Sequence, residues 1–343
     1  MIDWVTCELP LVHTPLNGGL VCKIDPEGDT EWVTRCRIQV QGSHESSIQV
    51  RSVGGDGSGE ATGLHFSGNP AKFLQGHNVF GSDDLVALMY DTFLVVCRAL
   101  SLAPSLGEVR AVRQGRYPLS MVDINYSYEL PTRADVLSWI RAAEFKSKTR
   151  HGRPQLKGGT LYWGKTSQRW ALKVYSKGEE IEAPRHRLPE QLESTPIKQW
   201  ADNKLRLELR LKKKQLTEHE ITQANHMSAA TVKSLFSEYV RKIEMKEQMA
   251  LTTEKRLQLP QKLQSTYILW QTGQDLRYTL PRATYYRHRK ELLEYGVDIA
   301  LARDLEQEDR SNVVPLMRVL EAVPVDIPVW AFNQKLVHSS ARH

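Results

Sequence analysis

Apolar and polar residues alternate along much of the first two thirds of the chain. The cleanest case is residues 204–211. Leu205, Leu207, Leu209 and Leu211 fall on one face, with Arg206, Glu208 and Arg210 on the other, the period of a half-buried strand. Residues 122–128 repeat the pattern, with Val122, Ile124, Tyr126 and Tyr128 opposing Asp123, Asn125 and Ser127. In residues 171–180, Leu172 and Val174 oppose Lys173, Tyr175 and Lys177. Residues 1–60 read as short strands between turns, among them 36–40 and 47–53, followed by a Gly/Ser loop at 54–59. A hairpin is expected from 160–164 and 168–176, around Lys165-Thr166-Ser167. Helical spacing appears at 85–102, with Asp83 or Ser82 as cap, and at 133–144 after Pro131-Thr132. Residues 146–159 read as a basic, mobile loop, and 185–198, with prolines at 184, 189 and 196, as a connection holding a short helix. From about 215 the pattern becomes helical. These periods predict an α+β fold: an antiparallel sheet backed by helices over 1–214, then a mostly helical domain over 215–343.

Composition agrees with a folded protein: 41% hydrophobic, 25% charged, and no low-complexity tract. The most apolar stretch, 85–103, contains Asp91 and Arg98, so a buried helix is expected there and no membrane span. The start, Met1-Ile2-Asp3-Trp4, lacks the basic and apolar regions of a signal peptide. Cys7, Cys22, Cys36 and Cys97 have neither metal-ligand nor disulfide-framework spacing. A reducing cytoplasm is the expected location. Charge changes the picture further. Residues 1–140 carry a net −6, 141–214 a net +11 and 215–343 a net +1. The excess is concentrated in one segment that also carries Tyr162, Trp163, Trp170 and Tyr175, which suits phosphate binding beside stacked bases. A merely solvated basic face is the alternative.

The candidate chemistry sits on the polar faces. Tyr175 lies between two cations; positive charge favours phenolate, and Lys173 and Lys177 suit a phosphodiester and the charge that builds on phosphorus. A surface strand with one tyrosine among solvated lysines is the plainer alternative. Asp123 and Glu208 are candidate ligands for Mg²⁺ or Mn²⁺, hard cations that take oxygen ligands. Alternatively Asp123 caps a strand end and Glu208 pairs with Arg206 or Arg210. His77 is a third candidate ligand or a hydrogen-bonded structural histidine. Lys173, Arg206 and Arg210 are candidate DNA contacts. Further on, 266–273 and 280–296 read as a helix-turn-helix spanning roughly 265–296, with Pro281 in the first turn of the second helix and Gly296 as its stop. Arg282, Thr284, Tyr285, Arg287, His288 and Arg289 would then offer base and phosphate contacts; packing through Tyr286, Leu292 and Leu293 is the alternative. The helix expected at 229–249, charged along its exposed side, is a candidate partner or self-association helix. No G-x-x-x-x-G-K-[ST] loop occurs, so any helicase would be a separate partner.

The block Asn69-Pro70-Ala71-Lys72-Phe73-Leu74-Gln75-Gly76-His77-Asn78-Val79-Phe80-Gly81 is distinctive. Met121-Val122-Asp123, the basic loop at 146–150, the 171–180 strand and Arg206-Leu207-Glu208 follow in order, then Pro281-Arg282 and Asn312-Val313-Val314-Pro315-Leu316. Together these blocks resemble the filamentous-phage replication initiators, the gene II/gene X proteins. The resemblance implies a rolling-circle initiator that nicks one strand at a phage or plasmid origin through a 5′-phosphotyrosine and later rejoins it. It places the nucleophile on Tyr175 with Lys177 nearby, and Tyr162 is the second candidate. It places the metal site of distantly related HUH-type nucleases on Asp123, Glu208 and His77, although this chain has one histidine where that pattern has two. The implied partners are single- and double-stranded origin DNA, a host polymerase and helicase, and further copies on DNA. A non-catalytic origin-binding regulator of the same fold, and a tyrosine recombinase without metal, remain as alternatives.

Overall fold

The computed structural model describes residues 1–16, 19–55, 59–184, 186–245, 259–295, 297–300 and 316–340. Its strands are β1 (Ile2–His13), β2 (Leu20–Ile24), β3 (Thr30–Arg35), β4 (Ile38–Gln41), β5 (Ser47–Val53), β6 (Ala61–Gly68), β7 (Leu119–Glu129), β8 (Ser147–Lys148), β9 (Gln155–Lys157), β10 (Thr160–Trp163), β11 (Trp170–Ser176), β12 (Lys204–Lys212) and β13 (Glu244–Met245). Nine of them form one sheet in the order β4-β5-β6-β1-β7-β12-β11-β10-β9. Every neighbouring pair in it is antiparallel. The α+β class and the helix-backed antiparallel sheet are as expected.

The alternation decides which face is which. Val5, Cys7, Leu9 and Leu11 of β1, Val122 and Ile124 of β7, and all four leucines of β12 are buried in one continuous core. Helices α1 (Pro70–Gln75), α2 (Leu85–Ala99), α3 (Leu106–Arg113) and α4 (Arg133–Lys146) come from the first half of the chain. On α2 the buried residues Leu85, Leu88, Met89, Thr92, Phe93, Val96 and Cys97 make one stripe at helical spacing. Its cap is Asp84, whose Oδ1 accepts from the Ala87 amide at 3.0 Å. Asp83, an expected cap, is used elsewhere: it accepts from the Tyr126 hydroxyl at 2.8 Å.

The long β1 strand was not singled out by the sequence, because its alternation breaks near the start. Ile2 lies opposite Ile124 and Val5 opposite Val122, so three steps on β1 match two on β7. This bulge keeps Ile2 and Val5 on the core side and turns Asp3 to the polar side. Residues 146–159 are likewise more regular than a mobile loop. β8 pairs with β13, and β9 forms the sheet edge against β10.

After β11 come α5 (Lys177–Glu182), α6 (Glu190–Glu193) and α7 (Ile197–Ala201); after β12 come α8 (Lys213–Glu218) and α9 (Ala229–Val240). The first core continues through Leu216, Val232, Phe236 and Tyr239 to Ile243, so α9 packs its apolar stripe on the sheet. The other side of α9, with Lys233 and Glu238, is exposed. Of the remainder of the helix expected at 229–249, residues 241–243 turn, Glu244–Met245 is β13, and 246–249 lie outside the described residues. Leu259, Leu263, Tyr267, Trp270, Leu276, Tyr285, Leu292 and Val297 form a separate core. It is built by three helices, Gln261–Gln271, Leu276–Thr279 and Arg282–Glu294, where a helix-turn-helix pair was expected. Gly296 and the 312–315 part of the last resembling block lie outside the described residues. Among the described residues no helix is long and apolar enough to cross a membrane.

Candidate active site

The polar faces of β7, β12 and β11 meet in register. Arg210 lies opposite Asp123, Glu208 opposite Asn125 and Arg206 opposite Ser127. Across the other edge of β12, Lys173 faces Glu208 and Tyr175 faces Arg206. Asp3, delivered by the bulge in β1, joins Asp123 and Glu208: one oxygen from each carboxylate lies within 4.8 Å of the others, and all three residues are buried. Asp3 was missed by sequence reasoning. Its signal was an acid interrupting the apolar side of a strand, two residues before a regular alternation begins.

Two cations line this acidic cluster. Arg210 donates to both oxygens of Asp123, at 2.8 and 2.6 Å. Lys173 Nζ lies 2.7 Å from Glu208 Oε1. Both keep part of their side chains in solvent, so this end of the polar face is open. The expected pairing of Glu208 with Arg206 or Arg210 is therefore replaced by Lys173. Burial pushes the Glu208 carboxyl up to about 8; Lys173 opposes this, while the charges of Asp3 and Asp123 add to it. Three buried carboxylates supplied with hard oxygen donors fit a divalent cation, which would relieve their mutual repulsion. Asn125 adds to the fit. It is fully buried opposite Glu208, and both its side-chain oxygen and nitrogen lack a hydrogen-bond partner among the described residues. An ion or a phosphate oxygen at the cluster would give one of them a partner.

Tyr175 is nearly buried, and its hydroxyl lies 3.5 Å from Glu208 Oε2. Lys173 Nζ stands 5.5 Å from its ring centroid. The expectation that flanking cations lower the phenol pKa is reversed. Burial, then the charges of Glu208 and Glu180, raise it well above the ordinary value, and Arg206 opposes them only in part. Tyr162, the second candidate, is half-buried on β10 opposite Lys173, with Lys165 Nζ 4.9 Å from its ring centroid.

The resembling block at 69–81 closes the other end of the face. Asn69 caps α1 by accepting from the Lys72 amide at 2.7 Å and donates to Asp3 Oδ1 at 2.8 Å. Gly76 ends α1 at φ 85°, where a Cβ would meet the His44 ring at 2.6 Å. Asn78 donates to the same Asp3 oxygen at 3.0 Å and accepts from Lys177 Nζ at 2.8 Å. Lys177 is fully buried and also bonds Glu180 at 2.5 Å; burial lowers its pKa to about 8. Lys177 is thus buried and tied to Asp3 through Asn78.

His77 is not brought into the cluster. Its Nε2 lies 2.8 Å from the Leu336 carbonyl and its Nδ1 accepts from the Val79 amide at 3.2 Å, which fixes the tautomer. Burial lowers its pKa to about 4. The hydrogen-bonded structural histidine is the arrangement found. Arg206 also departs from the expected DNA contact. It is fully buried, with Nε bonded to Ser127 Oγ at 3.0 Å and its terminal nitrogens to the carbonyls of Asn78 and Val79, both at 2.6 Å. Arg206→Ala leaves two buried carbonyls without donors and should lower the free energy of unfolding by about 3 kcal/mol or more. Urea unfolding followed by tryptophan fluorescence checks this; an unchanged midpoint contradicts it.

On the Arg282–Glu294 helix, Tyr285 is buried in the second core, and Arg289 donates to both oxygens of Asp298 at 2.7 and 3.0 Å. His288 is buried against Thr266 at 2.8 Å. Thr284 is half-buried, and Arg282 and Arg287 are exposed.

Residues 1–230 match the family model that describes the N-terminal part of the phage replication-associated protein, and residues 251–337 the model that describes its C-terminal part. The chain belongs to this family. It is 47% identical over 344 residues to the replication-associated protein of Enterobacteria phage I2-2, covering 100% of this chain and 99% of that protein. It is 29% identical over 136 residues to the replication-associated proteins of Enterobacteria phage fd and of Enterobacteria phage M13, which is 39% of this chain and 31% of theirs. The 69–81 block that carries the family resemblance thus has a structural account here. Its two asparagines hold Asp3, and its backbone is fastened to the sheet by Arg206.

Proposed function

We propose that this replication-family protein nicks one strand of origin DNA and later rejoins it, with Tyr175 as the nucleophile. The observation that carries this reading is the Tyr175 hydroxyl beside Glu208 in a buried cluster of three carboxylates. Tyr175 Oη attacks the scissile phosphorus and its proton passes to Glu208 Oε2. The bond from phosphorus to the 3′ oxygen breaks, leaving a 3′-hydroxyl after protonation and a 5′-phosphotyrosine. The covalent bond stores the phosphodiester for the reverse attack by a 3′-hydroxyl, so joining needs no nucleotide cofactor. Glu208 is the carboxylate beside the phenol, its Oε2 3.5 Å from the hydroxyl, and so the group placed to take that proton. Lys173 and Arg210, at the open end, hold the phosphate backbone. Lys177 acts at a distance as a positioning residue, fixing Asn78 and through it Asp3. Mg²⁺ or Mn²⁺ held by Asp3, Asp123 and Glu208 would polarise the phosphate oxygens. His77 is left out of this ligand set because both its ring nitrogens are engaged. The released 3′ end is a primer for a host polymerase, with strand separation by a host helicase and the exposed Arg282 and Arg287 contributing to duplex binding.

Incubation with single-stranded oligonucleotides tiling the origin tests the reading. A denaturation-resistant protein–DNA adduct that forms with Mn²⁺ and not with EDTA is the expected result. Origin binding without any adduct would overturn the nicking reading in favour of a non-catalytic regulator.

A further inference from the structure

A cavity of about 410 Å³ lies between the 148–153 segment and the C-terminal helices, away from the carboxylate cluster. Five cationic side chains line it, Lys148 and Arg153 from one wall and Arg277, Arg282 and Arg289 from the other, against one acid, Asp298. Three of the five already have acidic partners: Lys148 with Glu244, Arg277 with Asp275 and Arg289 with Asp298. Arg153 and Arg282 make no ion pair among the described residues. Arg153 is half-buried, and burial followed by the charge of Arg277 lowers its pKa, with Asp275 and Asp298, each already paired to another arginine, opposing this only in part. Tyr285 also lines the cavity and belongs to the second core.

We infer that this cavity is a binding site for one backbone phosphodiester of DNA, gripped by Arg153 from the sheet-bearing unit and Arg282 from the C-terminal helices. The two guanidiniums present several N–H donors to an anion, the geometry in which arginine holds phosphate. Neither unit supplies the site alone, so a phosphate seated there fastens the C-terminal helices to β8, which carries Lys148, and to the β8–β9 connection, which carries Arg153. Binding at the C-terminal unit is thereby joined to the polypeptide that leads into β10 and β11. The inference rests on the reading of the protein as one that acts on origin DNA, but not on its nucleophile.

The test is the salt dependence of DNA binding, measured by fluorescence anisotropy on a duplex and on a single strand of the same origin sequence. Neutralising one phosphate contact lowers the slope of log K against log salt by about 0.9 on duplex and about 0.7 on single strand. Arg282→Gln, at an exposed position, should lower it by part of that amount, and the double variant Arg153→Gln/Arg282→Gln, which empties the site, by the whole of it and no more. Arg153→Lys/Arg282→Lys should restore most of it. The pair Arg98→Gln/Arg110→Gln removes equal charge from exposed positions outside the cavity and should leave the slope alone. A change on the duplex places the phosphate in double-stranded DNA; a change on the single strand alone places it in the displaced strand. Slopes unchanged on both, or a control pair that acts equally, overturn the inference. Adduct formation by the wild-type protein is scored separately, so loss of the nicking reading would not be mistaken for loss of this one.

Discussion

Tyr175→Phe abolishes the covalent adduct and lowers strand cleavage by at least about 10⁴-fold, the scale seen when a covalent nucleophile is removed. The substitution deletes one hydroxyl and keeps a ring that is buried between Lys173 and the Arg206 layer, so the fold has no reason to change. Only the contact to Glu208 is lost. Affinity for single-stranded DNA stays within about twofold, because Lys173 and Arg210 at the open end are untouched. Tyr162→Phe, by contrast, retains the adduct. Gel analysis under denaturing conditions reads both variants; a Tyr175→Phe protein that still forms adduct removes Tyr175 from its role.

Asp3→Asn has the second largest expected effect and separates a metal site from a merely acidic surface. Asparagine still accepts from Asn69 and Asn78 through its side-chain oxygen, so the local hydrogen bonds survive. What disappears is one of three clustered negative charges. Mn²⁺ binding should weaken by at least about 100-fold, beyond the 10- to 100-fold typical of residues that only orient a ligand, and cleavage should fall with it. Without metal the variant should be more stable than the wild type. A carboxyl whose folded pKa is raised contributes stability that is complete below the ordinary carboxylate range and is lost as pH rises through the folded value. For Glu208 that loss runs up to about pH 8. Asp3→Asn removes a charge that raises it, so the melting-temperature advantage of the variant should grow between pH 5 and 8. The contribution of His77 is common to both proteins and cancels in the difference; Lys177, whose pKa the Asp3 charge helps to hold up, is lowered further in the variant, a cost that is greatest at low pH and shrinks towards pH 8, so it acts in the same direction. Thermal melts with EDTA and with Mn²⁺ check both halves. Equal stabilisation of the two proteins by Mn²⁺ would show that Asp3 holds no metal.

Much of this site was legible in the sequence because strands have a period of two. Once β7, β11 and β12 are taken as neighbours, Asp123, Glu208 and Tyr175 must share a face. Periodicity does not reveal which polar residue on that face is sealed over. Arg206 and Arg210 occupy equivalent sequence positions, yet Arg206 is buried under residues 78 and 79 while Arg210 reaches solvent. The same limit applies to Tyr175, whose flanking lysines suggest a lowered pKa until burial is known. Asp3 was hidden by the bulge, which shifts the alternation at the one place where the strand supplies a site residue. His77 was misdirected because its partner, the Leu336 carbonyl, comes from the far end of the chain. In the C-terminal helices, the amphipathic pattern located the helix that carries Arg282 and Arg287. It could not show that Arg289 is committed to Asp298.

The most direct measurement is peptide mapping of the protein–DNA adduct by tandem mass spectrometry after nuclease digestion of the bound strand. The expected result is a nucleotide attached through its 5′ phosphate to Tyr175, in material formed with Mn²⁺ and absent with EDTA. Attachment at Tyr162, or to any residue other than Tyr175, would contradict it.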